Sequence, residues 1–395
     1  KIGLDAEALR GADVIIDALL GIGAAGAPRG AVREAITAIN GAGKPVVSVD
    51  LPSGADCDTG AVAGVCVQAA VTVTFGLHKI GLVCYPAARY AGRVVVRGVS
   101  FAPGAVARQN IKARVIRGAE LPVRESDSHK GSFGKVFAVC GSVGMTGAAY
   151  LSAQAALRTG CGLVTLGIPQ SLNGIMARKL TEVMTFPLAE RGGGLSADCI
   201  PAVTQAAQGA DAIVCGCGLG RGGDVPAVVE AVLNTAQSPV VLDADGINAL
   251  SAHTDMLKGN VCGVVITPHP GEMARLTGSS ADEVRNNAVG VAKDFAAEYN
   301  VVTVLKGART VVASPDGEIR INVNGNSGMA TAGSGDVLAG MICSLIAQGQ
   351  PPALAAANGV YLHGAAGDLA ARRFGERGML AGDLLEQIPH ALSAV

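Results

Sequence analysis

Asp336 follows Gly325, Gly328, Gly333 and Gly335 and precedes Val337, Leu338, Met341, Ile342, Leu345 and Ile346. Those apolar positions recur at helical spacing on one face, so a helix is expected to start beside Gly333-Ser334-Gly335. A helix start presents unpaired backbone N–H groups and the positive end of the helix dipole, which together favour an anion, most often phosphate. An aspartate there can also be a plain cap, but a cap does not require four glycines ahead of it. A carboxylate beside bound phosphate is placed to accept a hydroxyl proton during phosphoryl transfer.

Other chemistry-bearing residues sit where strand-like runs end. VVTVLKG is followed by Ala308-Arg309-Thr310, which puts Lys306, Gly307, Arg309 and Thr310 where nucleotides are held in open α/β sheets. ITPHPGEM puts His269 and Glu272 after another strand, with Glu272 expected to reach a hydrated magnesium ion. DADGIN sets Asp243, Asp245 and Asn248 at a third strand end, where each could equally form a turn. Gly144–Ala149 is a small-residue loop entering a helix. Near the amino terminus, Gly21, Gly23 and Gly26 spell GxGxxG after a strand, and Asp50 ends the next one. Taken literally this is a dinucleotide fingerprint, but too little chain is present around it for a complete nicotinamide-binding domain.

The elements that must position these residues alternate. DVIIDALLGIG, PVVSVDLPSG, AVTVTFGL and GRVVVRGV read as strands, with a helix over AVREAITAINGAG, enough for half of a dinucleotide-type sheet. Residues 105–127 mix charge, Gly and Pro and read as a linker that can add an edge strand. Beyond it, VFAVCG, GLVTLGI, DAIVCGCG, PVVLDAD, GVVITPH and VVTVLKG are strands separated by helices, and RTVVASPDGEIRINV is a hairpin. The expected organisation is 1–104, a linker 105–127, and an α/β layered domain 128–395.

Composition agrees with that reading. Of 395 residues 49% are hydrophobic and 16% charged, with 55 glycines and no Trp, which suits parallel strands covered on both faces. A net charge of −1 without a cationic stripe speaks against nucleic acid as a partner. No apolar run of about 18 residues marks a transmembrane helix. Ten cysteines at unrelated spacings read as reduced thiols of a cytoplasmic protein rather than a zinc site.

With these motifs assembled, the chain resembles the bifunctional NAD(P)H-hydrate repair enzymes, which join an NAD(P)H-hydrate epimerase to an ADP-dependent (S)-NAD(P)H-hydrate dehydratase. HKGSFG, GSVGMTGAA, CGLG, DADGIN, TPHPGE, KGART and NSGMATAGSGDVLAG carry the dehydratase part, from about Ser126 onward. The resemblance implies a ribokinase-like fold preceded by a partial Rossmann-like epimerase domain. It implies that Ala148, Gly218, His269 and Asp336 contact the hydrated nicotinamide nucleotide. Lys306, Gly307, Ala308, Arg309, Thr310 and Gly335 would hold the adenine nucleotide, ADP or ATP with Mg2+. DALLGIG, VSVDLPSG and TVTFGLHK carry the epimerase part. There, Gly21, Ile22, Gly23, Ala24, Ala25, Gly26, Ala27 and Asp50 would bind the hydrate, while Asp17 and Ser53 would help hold K+. A homo-oligomer is expected. The family's preceding half-domain, with its Asn-Asn-Gly-Gly-Asp loop, is not among these residues, and epimerase activity is expected to be lacking in this polypeptide. The competing readings are a ribokinase-like small-molecule kinase and a nucleotide sensor without turnover.

Overall fold

The computed structural model describes residues 6–102, 104–259 and 262–395. The chain forms two compact units. One holds residues 1–113 with 282–291, and the other holds 114–281 with 292–395.

In the first unit Ile15–Asp17 (β1), Val46–Val49 (β2), Val71–Phe75 (β3) and Arg93–Arg97 (β4) form a sheet in the order β1-β2-β3-β4, parallel throughout. A helix over Gly30–Gly41 connects the first two strands. Its buried Ile36 and Ile39 pack with Ile15, Val46 and Val67. Each aliphatic side chain fully buried in this way contributes about 1.5–3 kcal/mol. The helix begins four residues beyond Gly26, and Gly21–Ala27 is an exposed loop rather than a helix start. The loop therefore does not build a dinucleotide fingerprint, in which the third glycine must pack against the helix.

The second unit is built on one long sheet. Its strands are Ala113–Ile116 (β5), Lys135–Val139 (β6), Leu163–Pro169 (β7), Met184–Leu188 (β8), Ala212–Cys215 (β11), Val240–Leu242 (β12), Val264–Ile266 (β13), Val302–Leu305 (β14), Val311–Ala313 (β15) and Ile319–Asn322 (β16). A separate two-stranded ribbon pairs Glu190–Arg191 (β9) with Gly194–Leu195 (β10). The sheet order is β5-β16-β15-β14-β13-β12-β11-β6-β7-β8. From β14 to β8 every pairing is parallel, and β14-β15-β16 are antiparallel. Met184–Leu188 is a strand that the sequence reading lacked. Pro187 and a single alternation left little strand signal, and pairing with β7 supplies what propensity does not.

The strand order reverses between β6 and β11, the switch point where parallel sheets leave a crevice at their carboxyl ends. Over it lies the Ser334–Ala347 helix. An apolar face had been expected, yet Ala339, Gly340, Cys343, Ser344 and Ala347 are buried as well. The helix is enclosed because it packs on the sheet, on Thr146–Thr159 and on Pro352–Phe374 together. Gly340 permits this: a Cβ there would stand 2.0 Å from the Ser152 carbonyl oxygen. A helix apolar all round is the signature of a core position.

Candidate active site

Five strand ends meet below the amino end of the Ser334–Ala347 helix. Gly333, at φ +90, caps that helix in the left-handed region, which only glycine enters cheaply. Asp336 lies in its first turn. Asp243, which directly follows β12, is fully buried; its Oδ1 accepts from Lys306 Nζ at 2.6 Å and from Thr267 Oγ1 at 2.7 Å. Cys217, just past β11, lies 3.9 Å from Asp243 Oδ2. The ligand atoms of Cys217, Asp243 and Asp336 fall within 4.8 Å of one another.

Charge explains how these groups behave. Burial, followed by the negative charge of Asp243, pushes the Asp336 carboxyl up to about 6. Burial pulls the Lys306 ammonium down, but Asp243 and Glu272 outweigh it and hold its pKa above the ordinary lysine value. The Cys140 thiol beside it, and then burial, raise Cys217 well above the ordinary thiol range, so it stays protonated. The site thus contains one fixed cation–anion pair and one carboxylate poised near neutrality.

The residues expected around the hydrated nucleotide converge on this point. Ala148 stands in the first turn of Thr146–Thr159, and a Cβ on Gly218 would meet its methyl at 2.9 Å. The two loops are stitched across the switch point by Gly141 N–H to Cys217 O at 2.9 Å and Ser142 Oγ to Gly218 O at 2.9 Å. His269 caps the Pro270–Thr277 helix, its Nδ1 accepting from the Gly271 and Glu272 amides. Burial, then Lys306 and Arg275, lower its pKa, which keeps it neutral and able to accept.

On the other flank, a Cβ on Gly335 would lie 3.1 Å from Lys306 Nζ. Gly307 and Thr310 close a small turn beyond β14, with Thr310 Oγ1 donating to Gly307 O at 3.2 Å. Ala308 and Arg309 sit in the same exposed segment, where Arg309 donates to Val323 O at 2.9 Å. Lys306 differs from these neighbours, since it turns inward to Asp243 instead of lying on an open strand end.

Glu272 is not arranged as a metal ligand. Its Oε2 accepts from the His269 amide at 2.8 Å while its own amide donates to His269 Nδ1 at 3.3 Å, a capping box, and its Oε1 lies 3.4 Å from His269 Nε2. Burial raises its pKa, and Lys306 opposes that rise.

Sequence reasoning missed the helix Pro352–Phe374 as part of the site. From it, His363 Nε2 donates to Ser334 O at 2.9 Å and lies 3.3 Å from Ser334 Oγ. Asp368 accepts from Gly325 N–H at 3.1 Å and from Asn326 Nδ2 at 3.0 Å. These bonds pin both ends of the segment Gly325–Ser334. Burial pushes His363 down to about 4, so its ring is neutral near pH 7. His363 and Asp368 bracket the small-residue stretch HGAAGD of this helix, and their signal in the sequence was polarity within a mostly apolar run.

In the first unit, Asp17 is buried at the end of β1. It accepts from Ser53 Oγ at 2.6 Å, Ser53 N at 2.9 Å, Ser48 Oγ at 2.8 Å and Leu19 N at 3.4 Å. Leu20 N donates to Ser53 Oγ at 2.9 Å, tying the root of the Gly21–Ala27 loop to the turn after β2. Asp50 stands in that turn at φ +68, a backbone state uncommon outside glycine. Its Oδ1 accepts from Lys79 Nζ at 2.5 Å, Thr74 Oγ1 at 3.0 Å and Phe75 N at 3.1 Å. Burial raises the Asp50 carboxyl, but these donors, Lys79 first, outweigh it and leave its pKa below the ordinary value.

Comparison with known proteins agrees with this geometry. The NAD(P)H-hydrate dehydratase family model matches residues 136–390. The chain belongs to that family. A second family model, the YjeF-related protein N-terminus, matches residues 3–81. The bifunctional NAD(P)H-hydrate repair enzyme Nnr of Moorella thermoacetica is 47% identical over 98% of this chain and 74% of its own length. The enzyme of that name from Escherichia coli is 37% identical over 95% of this chain and 71% of its own. Among solved structures, the ADP/ATP-dependent NAD(P)H-hydrate dehydratase of Bacillus subtilis, co-crystallised with ATP/Mg2+, has a TM-score of 0.60. It shares 33% identity and covers 69% of this chain and 94% of its own. A ribokinase-like superfamily protein of Enterococcus faecalis V583 gives a TM-score of 0.61 at 28% identity, covering 69% and 92%.

Membership in this dehydratase family, with relatives named bifunctional, disfavours the small-molecule kinase and sensor readings. It also disfavours the expectation that the first unit lacks epimerase function, because that unit carries its own family match. Among the described residues no helix is long and apolar enough to cross a membrane.

Proposed function

We propose that the chain repairs hydrated nicotinamide dinucleotides. The second unit dehydrates the (S)-hydrate of NADH or NADPH at the expense of ADP or ATP, and the first interconverts the (R) and (S) hydrates. The observation that carries the dehydratase reading is Asp336 in the first turn of a capped helix, beside the Lys306–Asp243 pair at the switch point.

In this reading Asp336 takes the proton of the ring hydroxyl, whose oxygen attacks the terminal phosphoryl group of the nucleotide. The bond to the departing nucleotide breaks and a ring phosphate ester forms. Phosphate then leaves with its C–O electron pair, and loss of a proton from the adjacent ring carbon restores the double bond. Hydroxide would leave poorly, whereas phosphate leaves well. The Gly335 amide and the Lys306 ammonium stabilise the charge that develops on the transferring group. Magnesium would arrive on the nucleotide's phosphates and offset their charge, with Asp243 and Asp336 the carboxylates in reach. Ala148, Gly218 and His269 would position the hydrate, and Gly307–Thr310 the adenine nucleotide.

For the epimerase unit, the exposed Gly21–Ala27 loop and Asp50 are the proposed substrate contacts. Potassium does not fit Asp17 as it stands, because four donors already occupy its carboxylate. A cytoplasmic location is supported by ten free cysteines.

The test is recovery of reduced-nicotinamide absorbance from a mixture of hydrate epimers with ADP or ATP and magnesium. Recovery of the (S) share establishes the dehydratase, and rapid recovery of the whole mixture establishes the epimerase. No recovery with either nucleotide would sink the dehydratase reading.

A further inference from the structure

Asp50 gives one carboxylate oxygen to the protein and keeps the other. Its Oδ1 accepts from Lys79 Nζ at 2.5 Å, Thr74 Oγ1 at 3.0 Å and Phe75 N at 3.1 Å, while among the described residues no group donates to Oδ2. A carboxylate has about four acceptor positions on its two oxygens. Placing three donors on one of them fixes the group and leaves the second oxygen for a ligand. The side chain of Asp50 is 19% exposed, so it is not sealed from one. Its backbone, at φ +68, keeps an aspartate where glycine would fit more cheaply.

Lys79 is the strongest of the three donors, and its own position needs an explanation. It stands at the N-cap of the short helix Ile80–Val83, where a lysine offers the backbone no acceptor and meets the positive end of the helix dipole. The helix therefore does not account for it. Its three ammonium hydrogens go to Asp50 Oδ1, to Thr74 Oγ1 at 2.9 Å and to Phe75 O at 2.8 Å. No donor is left over for a ligand, so Lys79 acts through Asp50. Thr74 closes the triangle by accepting from Lys79 and donating to Asp50. Cys57 also faces the pair, but burial, then Asp58, push its thiol up to about 11 and it adds no charge. His78, beside Lys79 in the chain, is exposed.

The place is one where parallel sheets meet ligands. Asp50 follows β2 and the exposed Gly21–Ala27 loop follows β1, neighbouring strands whose carboxyl ends are joined by Leu20 N to Ser53 Oγ at 2.9 Å. Resting on the epimerase reading of the first unit, we infer that Lys79 is a positioning residue of that reaction. With Thr74 it clamps Asp50 Oδ1, so that Oδ2 stands ready to accept from the hydroxyl whose configuration is interconverted.

The experiment follows conversion of the separated (R)-hydrate to the (S)-hydrate by the full chain, read by chromatography with no nucleotide added. In Lys79→Met, kcat is expected to fall about 10–100-fold, the loss of one charge-assisted bond, with KM changed less. The acid limb of its rate–pH profile should move to higher pH, because burial then acts on the Asp50 carboxyl without the lysine that opposes it. Lys79→Arg should recover part of the rate and return the limb towards its wild-type position. Thr74→Val should lower kcat by about five-fold, the loss of one neutral bond. ADP-dependent dehydration of the (S)-hydrate should hold in all three variants. Wild-type hydrogen exchange across β1–β4 would show that the first unit is folded, and if Lys79→Met exchanges faster, Thr74→Val and Lys79→Arg decide. An unmoved acid limb in Lys79→Met, or an equal loss in the Met and Arg variants, would overturn the assignment while leaving the epimerase reading intact. If wild type converted the (R)-hydrate no faster than the uncatalysed reaction, the epimerase reading would fail first and the inference with it.

Discussion

Lys306 Nζ lies 2.6 Å from Asp243 Oδ1, and the pair is set beneath the first turn of the Ser334–Ala347 helix. Lys306 comes from β14 and Asp243 from β12, so two strand ends are joined across the intervening β13. Removing one partner of a buried pair leaves the other charge without compensation, at a cost of about 3–5 kcal/mol. Lys306→Gln and Asp243→Asn should each lower urea-unfolding stability by that order and abolish turnover. The double variant should regain most of the stability but none of the activity. Recovery of activity in the double variant would make the pair purely structural.

Asp336→Asn tests the base. Turnover should fall by about 10²–10⁴, while ADP affinity measured by calorimetry stays within a few-fold. With the Asp336 carboxyl at about 6, the wild-type rate should rise across pH 5 to 7 with a midpoint near 6. The stability effect has the opposite sense. A carboxylate whose pKa is raised on folding costs stability as pH rises from about 4 through 6, because the folded state must release a proton it holds. The Asn variant should therefore melt higher at pH 7.5, by roughly 2–4 °C for each 1 kcal/mol gained.

His363 acts through Ser334 and is expected to be a positioning residue. His363→Phe removes the donor to Ser334 O and should lower kcat more than it alters KM for the hydrate. His363→Gln restores an N–H donor and should recover much of the rate. The ring is held neutral down to about pH 4, whereas the unfolded chain takes up a proton near 6.5. Its contribution to stability is complete above pH 6.5 and declines as pH falls toward 4. The Gln variant should show a shallower acid loss in melting temperature, and an unchanged slope would contradict the assignment.

Asp17 in the first unit offers a separate check. Its carboxylate satisfies four donors, three of them closer than 3.0 Å. Asp17→Ala should cost about 2–4 kcal/mol through orphaned donors, visible by hydrogen exchange as early opening of residues 15–53. Because no acceptor position is left over, exchanging sodium for potassium should not shift the melting of this unit. A potassium-specific stabilisation would show that the cation displaces one of those donors.

Local chemistry made several features readable in advance. The small-residue loops Gly144–Ala149 and Gly325–Gly335 and the strand ends at Cys215, Leu242, Ile266 and Leu305 are visible because each apolar β-rich run gives way within three residues to Gly, Pro or Asp. The hairpin around Asp316-Gly317 is visible for a similar reason. The Ser334 helix start could be placed within a residue, since glycines and an apolar repeat meet there. Asp243 was visible only as one of several polar residues in DADGIN, with nothing local to distinguish a turn former from half of a buried ion pair. The partners of His363 and Asp368 were not legible, although the polarity of these two residues within a mostly apolar helix was. They act 29 and 43 positions along the chain from their partners Ser334 and Gly325, a separation at which no periodicity carries information.

The amino-acid sequence by itself determined which segments become strands, which loops stay small enough for a ligand to approach the backbone, and where one acidic residue meets a helix start. Those outcomes depend on interactions among near neighbours. Only the tertiary structure decided that Lys306 turns inward to Asp243, that Glu272 is spent capping a helix, and that burial beside Asp243 brings Asp336 near neutrality. Each of these depends on the distance and dielectric between groups from different strands, quantities that do not exist until the sheet has assembled and water has left the crevice.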